Sequence, residues 1–180
     1  MPPLPTAESM PDVAEPRLTI RQASPDDHDV IVEFNEALAL ESEGRVLDRR
    51  LLSPGVSQVL ADPTLGRYYL AETAGEVIGQ LLITWEWSDW RCGHFWWIQS
   101  VYVRPHWRRR AVFSRLYRQV LETARARTDV CGLRLYVEQD NTRAQATYRS
   151  LGMDVTGYQL MEVDFREHAP EGTDPASSGA

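Results

Sequence analysis

The stretch from Val77 to Trp87 carries Val77, Ile78, Leu81, Leu82 and Ile83, so an extended chain there is apolar on both faces. Such a strand is buried only when layers cover both sides of its sheet. This excludes a sheet with one wet face and predicts a layered α/β fold.

The neighbouring patterns supply the layers. Leu18 to Gln22 reads as a short strand. Ser24-Pro25-Asp26-Asp27 opens a helix, with serine as N-cap, proline at the first position and acids in the first turn. Val30, Ile31, Phe34 and Leu38 continue it at helical spacing toward Glu41. A second helix is predicted over Asp48 to Leu60. Strands follow at Tyr68 to Glu72, Val77 to Trp87 and Phe95 to Val103. Residues 109–127 read as a helix with Val112, Leu116, Val120 and Ala124 on one stripe. Leu133 to Val137 is a strand, Asn141 to Leu151 a helix capped by Asn141 and ended by Gly152, and Tyr158 to Phe165 a last strand. The order βααβββαβαβ describes a mixed central sheet flanked by helices on both faces.

Composition narrows the classes. The chain of 180 residues has a net charge of −7, with 26 acids against 19 bases. Residues 1–16 and 167–180 each hold three acids and no base, and they lack periodicity, so both are expected to be disordered tails around a domain at 17–166. Between the tails 20 acids face 19 bases, so no global field points to nucleic acid. No apolar run reaches the ~18 residues of a membrane span, and Met1 to Pro16 has no secretory pattern. Cys92 and Cys131 form no CxxC, and His28, His94, His106 and His168 have no ligand spacing, so neither a disulfide framework nor a metal is expected. A cytoplasmic location follows as an expectation.

The segment Val101 to Tyr117 carries the most chemistry. Between Ser100 and Ser114 there is no Ser, Thr, Asp or Asn, so the predicted helix has no side chain to cap its first amides. Arg104, Arg108, Arg109 and Arg110 stand beside those amides. Unpaired N–H groups, a positive dipole end and guanidiniums suit an anion such as a pyrophosphate. A solvated basic turn would show the same run of charge.

Two motifs carry a resemblance. Val101-Tyr102-Val103 followed by Arg108-Arg109-Arg110-Ala111-Val112-Phe113 resembles the strand end and Arg/Gln-x-x-Gly-x-Gly/Ala turn of the GNAT acetyltransferases, with Ala111 and Phe113 where that family has small residues. Ala111 adds only a methyl and is compatible with helical angles, whereas Phe113 is bulkier. Asn141-Thr-Arg-Ala144-Gln-Ala-Thr-Tyr148-Arg-Ser-Leu-Gly152-Met153 is similar to the family's Asn-x-x-Ala-x-x-x-Tyr-x-x-x-Gly-Phe/Met. The resemblance spans about Arg17 to Phe165. Glu-Trp-Ser-Asp-Trp followed by Phe-Trp-Trp-Ile-Gln-Ser further resembles a bacterial subgroup of unassigned substrate.

The resemblance implies an acetyl-CoA-dependent N-acetyltransferase (EC 2.3.1.-) in which the strands ending at Val103 and Val137 splay at the cofactor site. It implies acetyl-CoA binding by Val101, Tyr102, Val103, Arg108, Arg109, Arg110, Ala111, Val112, Phe113, Ser114, Asn141 and Tyr148. The amine attacks the thioester directly, a backbone N–H near Gln99 or Val101 stabilises the oxyanion, and Tyr148 protonates the departing thiolate. Dimers are common in the family, so a homodimer is an expectation from resemblance alone.

The base is read from residues. Relatives carry an acid on the strand assigned to Phe95–Val103, but this chain has Gln99 there, which cannot accept a proton. Glu86 on the preceding strand is the candidate, and a solvated or salt-bridged strand-end carboxylate is the alternative. All six tryptophans fall between Trp85 and Trp107. Trp85, Trp87, Trp90, Trp96 and Trp97 cluster around one hairpin and read either as sheet packing or as an aromatic wall of the acceptor pocket, with Trp85 as the substrate-binding candidate. Glu41 and Glu43 end the first helix, where the dipole disfavours acids. With indoles they would suit a small cationic amine, giving a substrate set of Glu41, Glu43, Trp85 and Gln99. A protein acetyltransferase acting on lysine or an N-terminus, and a catalytically weak acyl-CoA-binding module, remain alternatives.

Overall fold

The computed structural model describes residues 17–165. It divides into two compact units, one ending at Asp140 and the other beginning at Asn141. The tails expected at 1–16 and 167–180 lie outside the described residues.

The first unit is a five-stranded sheet in the order β1 (Thr19–Gln22), β2 (Arg67–Thr73), β3 (Glu76–Ser88), β4 (Gly93–Val103) and β5 (Val130–Leu135). The first four pair antiparallel and β5 runs parallel to β4. Helices α1 (His28–Glu43) and α2 (Arg49–Ala61) bridge β1 and β2, and α3 (Val112–Arg125) bridges β4 and β5.

The doubly apolar strand β3 decides the layering. Leu82 joins Tyr68 and Leu70 of β2 in a core with Ile31, Val32 and Val56 of α1 and α2. On the opposite face, Gly79, Leu81 and Ile83 turn toward the α3 side, where Val112, Leu116, Tyr117, Val120 and Ala124 are buried. Burying each large apolar side chain contributes roughly 1.5–3 kcal/mol, so both helical layers are held by the sheet they cover.

The expected N-cap residues Ser24 and Asn141 stand at helix starts, and Asp48 adds a cap that sequence reading did not assign. Ser24 precedes a short 3-10 turn (Pro25–Asp27) that leads into α1, and the Asp27 carboxylate accepts from the Ser24 backbone N–H at 2.7 Å. Asp48 caps α2 by accepting from the Arg50 N–H at 2.9 Å. In the second unit α4 (Thr142–Ser150) is capped by Asn141 and closed by Gly152 at φ 87°.

Three expected boundaries change. The helix expected from 109 begins at Val112, because Arg109 and Ala111 adopt φ of 62° and 58°, which no right-handed helix accommodates. The strand expected at Leu133–Val137 instead runs from Val130 to Leu135, since its β4 partner departs beyond Ile98. The strand expected at Tyr158–Phe165 does not form, and Tyr158, Leu160, Met161, Val163 and Phe165 are exposed. Alternation gives a segment the propensity for a strand but supplies no partner edge, and without a ladder the backbone gains no strand hydrogen bonds.

Candidate active site

The strands β4 and β5, the last pair in the sheet, part beyond Ile98 and Leu135. Gln80 pairs with Tyr102 and Leu82 with Gln99, so Ser100 and Val101 together stand opposite Leu81. This is a β-bulge, and Ser100 carries φ 47°. The β4–β5 ladder ends at Ile98 and Leu135, whereas β4 runs on to Val103. Along Gln99–Val103 the edge toward β5 therefore has no strand partner among the described residues. Backbone groups there can pair with an extended ligand containing amides.

A buried amide braces the bulge. Gln80 is fully buried, and its Nε2 donates to Asn35 Oδ1 at 2.8 Å and to the Ser100 carbonyl at 3.3 Å. Asn35, on α1, in turn donates to the Tyr68 hydroxyl at 3.3 Å. Sequence reading missed this pair. The available signal was a glutamine inside the run Val77–Ile83; its Nε2 finds two partners, while its Oε1 is buried without one among the described residues.

The turn after β4 leads into a helix start with no side-chain cap. Ala111 occupies the N-cap of α3 at φ 58°, ψ 15° and gives no side-chain cap. The amides of Val112, Phe113 and Ser114 open the helix, and its first backbone bond runs from Arg115 to the Ala111 carbonyl at 3.0 Å. Ala111 is thus left-handed, not helical as expected, in the conformation that favours glycine. Phe113 lies beside Tyr117, with ring centroids 6.1 Å apart.

The four arginines divide by role. Arg104 is structural. It binds Glu33 at 2.9 Å and the Val77 carbonyl at 3.2 Å, and lies over the Phe34 ring. Arg108 donates to Glu41 and to the Val103 carbonyl, the latter at 2.9 Å. Arg109 and Arg110 are exposed, with Arg110 5.2 Å over the Trp107 ring. Glu41 also accepts from the Tyr102 hydroxyl at 3.3 Å, and burial, then Glu41, raises the Tyr102 pKa. The residue expected to meet an acceptor is therefore joined to one expected to meet phosphate. Glu43 is exposed at the end of α1.

The sheet face shared with α1 and α2 is only half covered. Thr84, Glu86, Phe95, Trp97, Gln99 and Arg134 share it and are partly exposed, by strand alternation and register. Gln99 donates to Thr84 Oγ1 at 2.6 Å. Glu86 accepts from the Trp97 indole on one oxygen and from Arg134 at 2.7 Å on the other. Both oxygens of the expected base are therefore engaged. Trp85 turns to the opposite face, where its ring meets Trp96 at 5.1 Å. It does not join Glu86 and Gln99, and Trp97 stands on their face instead.

In the second unit, Asn141 Oδ1 accepts from the Ala144 N–H at 3.0 Å, so it is engaged as a helix cap. Tyr148 lies in the last turn of α4, and burial raises its phenol above the ordinary range. It therefore carries its proton at neutral pH. Among the described residues no group of three or more His, Cys, Asp or Glu could hold a metal, and no helix is long and apolar enough to cross a membrane.

Residues 30–153 match the family model described as the acetyltransferase (GNAT) family. A possible acetyltransferase from Clostridium difficile 630 is 41% identical with a TM-score of 0.77, the match covering 82% of this chain and 97% of that one. A predicted acetyltransferase from Clostridium acetobutylicum, solved with acetyl-CoA, is 18% identical with a TM-score of 0.68, covering 84% of this chain and 99% of that one. A GCN5-related N-acetyltransferase from Ralstonia eutropha JMP134 is 18% identical with a TM-score of 0.65, covering 82% and 99%. A comparison with curated proteins finds no match.

Proposed function

The chain belongs to the GNAT acetyltransferase family, and from that premise we propose that it transfers the acetyl group of acetyl-CoA to the amine of a small molecule. The observation that carries this reading is the unpaired β4 edge at Gln99–Val103 lying in sequence just before the uncapped start of α3. The edge suits the amides of a pantetheine arm, and the α3 amides with Arg109 and Arg110 suit its pyrophosphate. These features fit the cofactor in the chain's own residues.

Acetyl-CoA supplies an activated thioester. The neutral acceptor nitrogen forms a bond to the acetyl carbon and gives up a proton to water, the C–S bond breaks, and CoA leaves as a thiolate that takes a proton. An N–H at the Ser100–Val101 bulge is suited to stabilise the oxyanion, because Gln80 fixes the backbone there. Tyr148 is the proposed donor to the thiolate, on the strength of its place in the Asn141–Gly152 motif. Glu86 is better arranged to hold Trp97 and Arg134 than to receive a proton, since both of its oxygens are occupied.

A small acceptor is favoured over a protein substrate by the half-covered face. Its polar groups form two pairs, Gln99 with Thr84 and Arg134 with Glu86, over a short stretch of sheet. Thiol release from acetyl-CoA, followed with a panel of small amines and lysine peptides, tests the proposal. Turnover with small amines is expected. Turnover confined to peptides would move the assignment to a protein acetyltransferase, and binding without turnover would leave an acyl-CoA-binding module.

A further inference from the structure

Resting on the acetyltransferase reading, we propose that the acceptor is an amine that also carries a carboxylate, as an amino acid does, and that Arg134 receives that carboxylate. The arrangement around Arg134 carries the inference. Its guanidinium lies 3.6 Å over the Phe95 ring, which fixes the plane of the group. A Cβ added to Gly132 would come within 2.7 Å of that ring, so the absence of a side chain at Gly132 lets Phe95 lie flat against β5.

Glu86 does not use the whole guanidinium. The Trp97 indole occupies one carboxylate oxygen, so Glu86 meets Arg134 through the other oxygen and Nη1 alone. No other hydrogen bond of Arg134 occurs among the described residues. A guanidinium has five N–H donors in a planar fork, and its free edge matches the two oxygens of a second carboxylate.

The charge of the surroundings agrees. Arg91 lies 5.2 Å over the same Phe95 ring, so two guanidiniums share the ring while Glu86 supplies the one described carboxylate pairing. An added carboxylate balances this patch. The cationic acceptor read from Glu41 and Glu43 has no comparable support, because Arg108 and Tyr102 engage Glu41.

The spacing sets the size of the ligand. Arg134 is level with Trp97 in the sheet, and Gln99, at the mouth of the β4 cleft, lies two residues farther along. Two strand residues span about 7 Å. A carboxylate on Arg134 therefore leaves an amine a few bonds away near the cleft. Trp97 and Tyr136, stacked at 4.4 Å, offer an apolar wall for the rest of the molecule.

The test uses matched acceptors, an amino acid beside its amide and its decarboxylated amine, with Arg134→Gln for comparison. In the unsubstituted enzyme the carboxylate should raise kcat/KM tenfold or more over both partners, as expected for a charge-assisted hydrogen-bonded pair. Arg134→Gln should bring that ratio close to one and leave acetyl-CoA affinity unchanged. Equal or better use of the amide or the amine, or a ratio retained in Arg134→Gln, would overturn the proposal. If Arg134→Gln does not fold, the ratio in the unsubstituted enzyme still decides. Calorimetric titration of the deaminated carboxylic acid into the CoA complex reads the site without turnover. Binding of the acid without acetylation of any amine would sink the acetyltransferase reading alone, whereas acetylation with no binding of the acid would sink the carboxylate site alone.

Discussion

Arg108, in the loop leading to α3, donates to the carboxylate of Glu41 in the last turn of α1, joining the β4–α3 loop to the helix beside the sheet face. Both side chains are about two-fifths exposed, at 41% and 40%. The pair is therefore weakly held, at roughly 0–1 kcal/mol, and a bound anion can compete for the arginine. Glu41→Gln should free Arg108 and tighten CoA binding by up to about fivefold. Arg108→Ala should weaken CoA binding about tenfold and leave a phosphate-free pantetheine thioester unaffected. Isothermal titration of both variants checks this, and weaker CoA binding by Glu41→Gln would show that Glu41 organises the site.

Ala111 holds a left-handed conformation at φ 58°. That geometry costs an L-residue roughly 1–2 kcal/mol, and glycine recovers it at an unfolded-state entropy cost of about 0.4–1 kcal/mol. Ala111→Gly should stabilise the protein by up to about 1 kcal/mol and leave CoA affinity equal or improved. Urea unfolding and titration read the two effects separately. A clear loss of stability would mean that the methyl group is needed for packing.

Tyr148→Phe deletes one hydroxyl and keeps the ring. If Tyr148 protonates the leaving thiolate, turnover should fall by roughly 10²–10⁴-fold with acetyl-CoA affinity little changed. The defect should shrink with an acyl donor whose thiol is more acidic, because that thiolate needs its proton less. A folded variant with normal turnover would make Tyr148 a packing residue.

Gln80→Leu removes the amide that holds the Ser100 carbonyl and leaves Asn35 Oδ1 without its donor. Stranding a buried acceptor costs about 1–3 kcal/mol, so chemical denaturation should shift by that amount. At saturating acceptor, kcat should fall further than KM changes, because the bulge amide acts on the transition state. Lowered stability with unchanged kcat would restrict Gln80 to a structural role.

Arg21, at 2.8 Å, holds the Asp27 carboxyl down to about 2 against an ordinary 3.8, with burial opposing and Ser24 assisting. The unfolded chain therefore takes up this proton at higher pH than the folded one does. The stabilisation is complete above about pH 4 and is lost as pH falls toward 2, amounting to about 2 kcal/mol. Asp27→Asn should remove that slope from a plot of unfolding free energy against pH. An unchanged slope would assign the acid sensitivity to other carboxylates.

The helices and inner strands were legible in the residues because their signals are local. Ser24 and Asp48 stand before α1 and α2, and the stripe from Val112 to Ala124 fixes the buried face of α3. Asn141 and Gly152 bracket α4 in the same way. Boundaries that depend on a distant partner were not legible. The end of β5 is set by where β4 leaves it, and the alternating segment Tyr158–Phe165 forms no strand despite its pattern. Glu86 was found as a polar residue on an inner strand. Trp97 was read only as one of a cluster of indoles, and Arg134 was not found, since their contacts with Glu86 join strands that no spacing rule links to it.

The amino-acid order thus determined the layers, because apolar period and capping chemistry act over a few residues, and it determined the acetyltransferase resemblance, because both motifs are contiguous. Tertiary structure decided the rest. Sheet register put Trp97 in place of Trp85 beside Glu86, and the approach of α1 to the β4–α3 loop paired Glu41 with Arg108. Parallel pairing of β5 brought Arg134 onto Phe95. Each of these contacts joins residues far apart in the chain, and its partner is selected by how whole strands and helices pack, which no local pattern encodes.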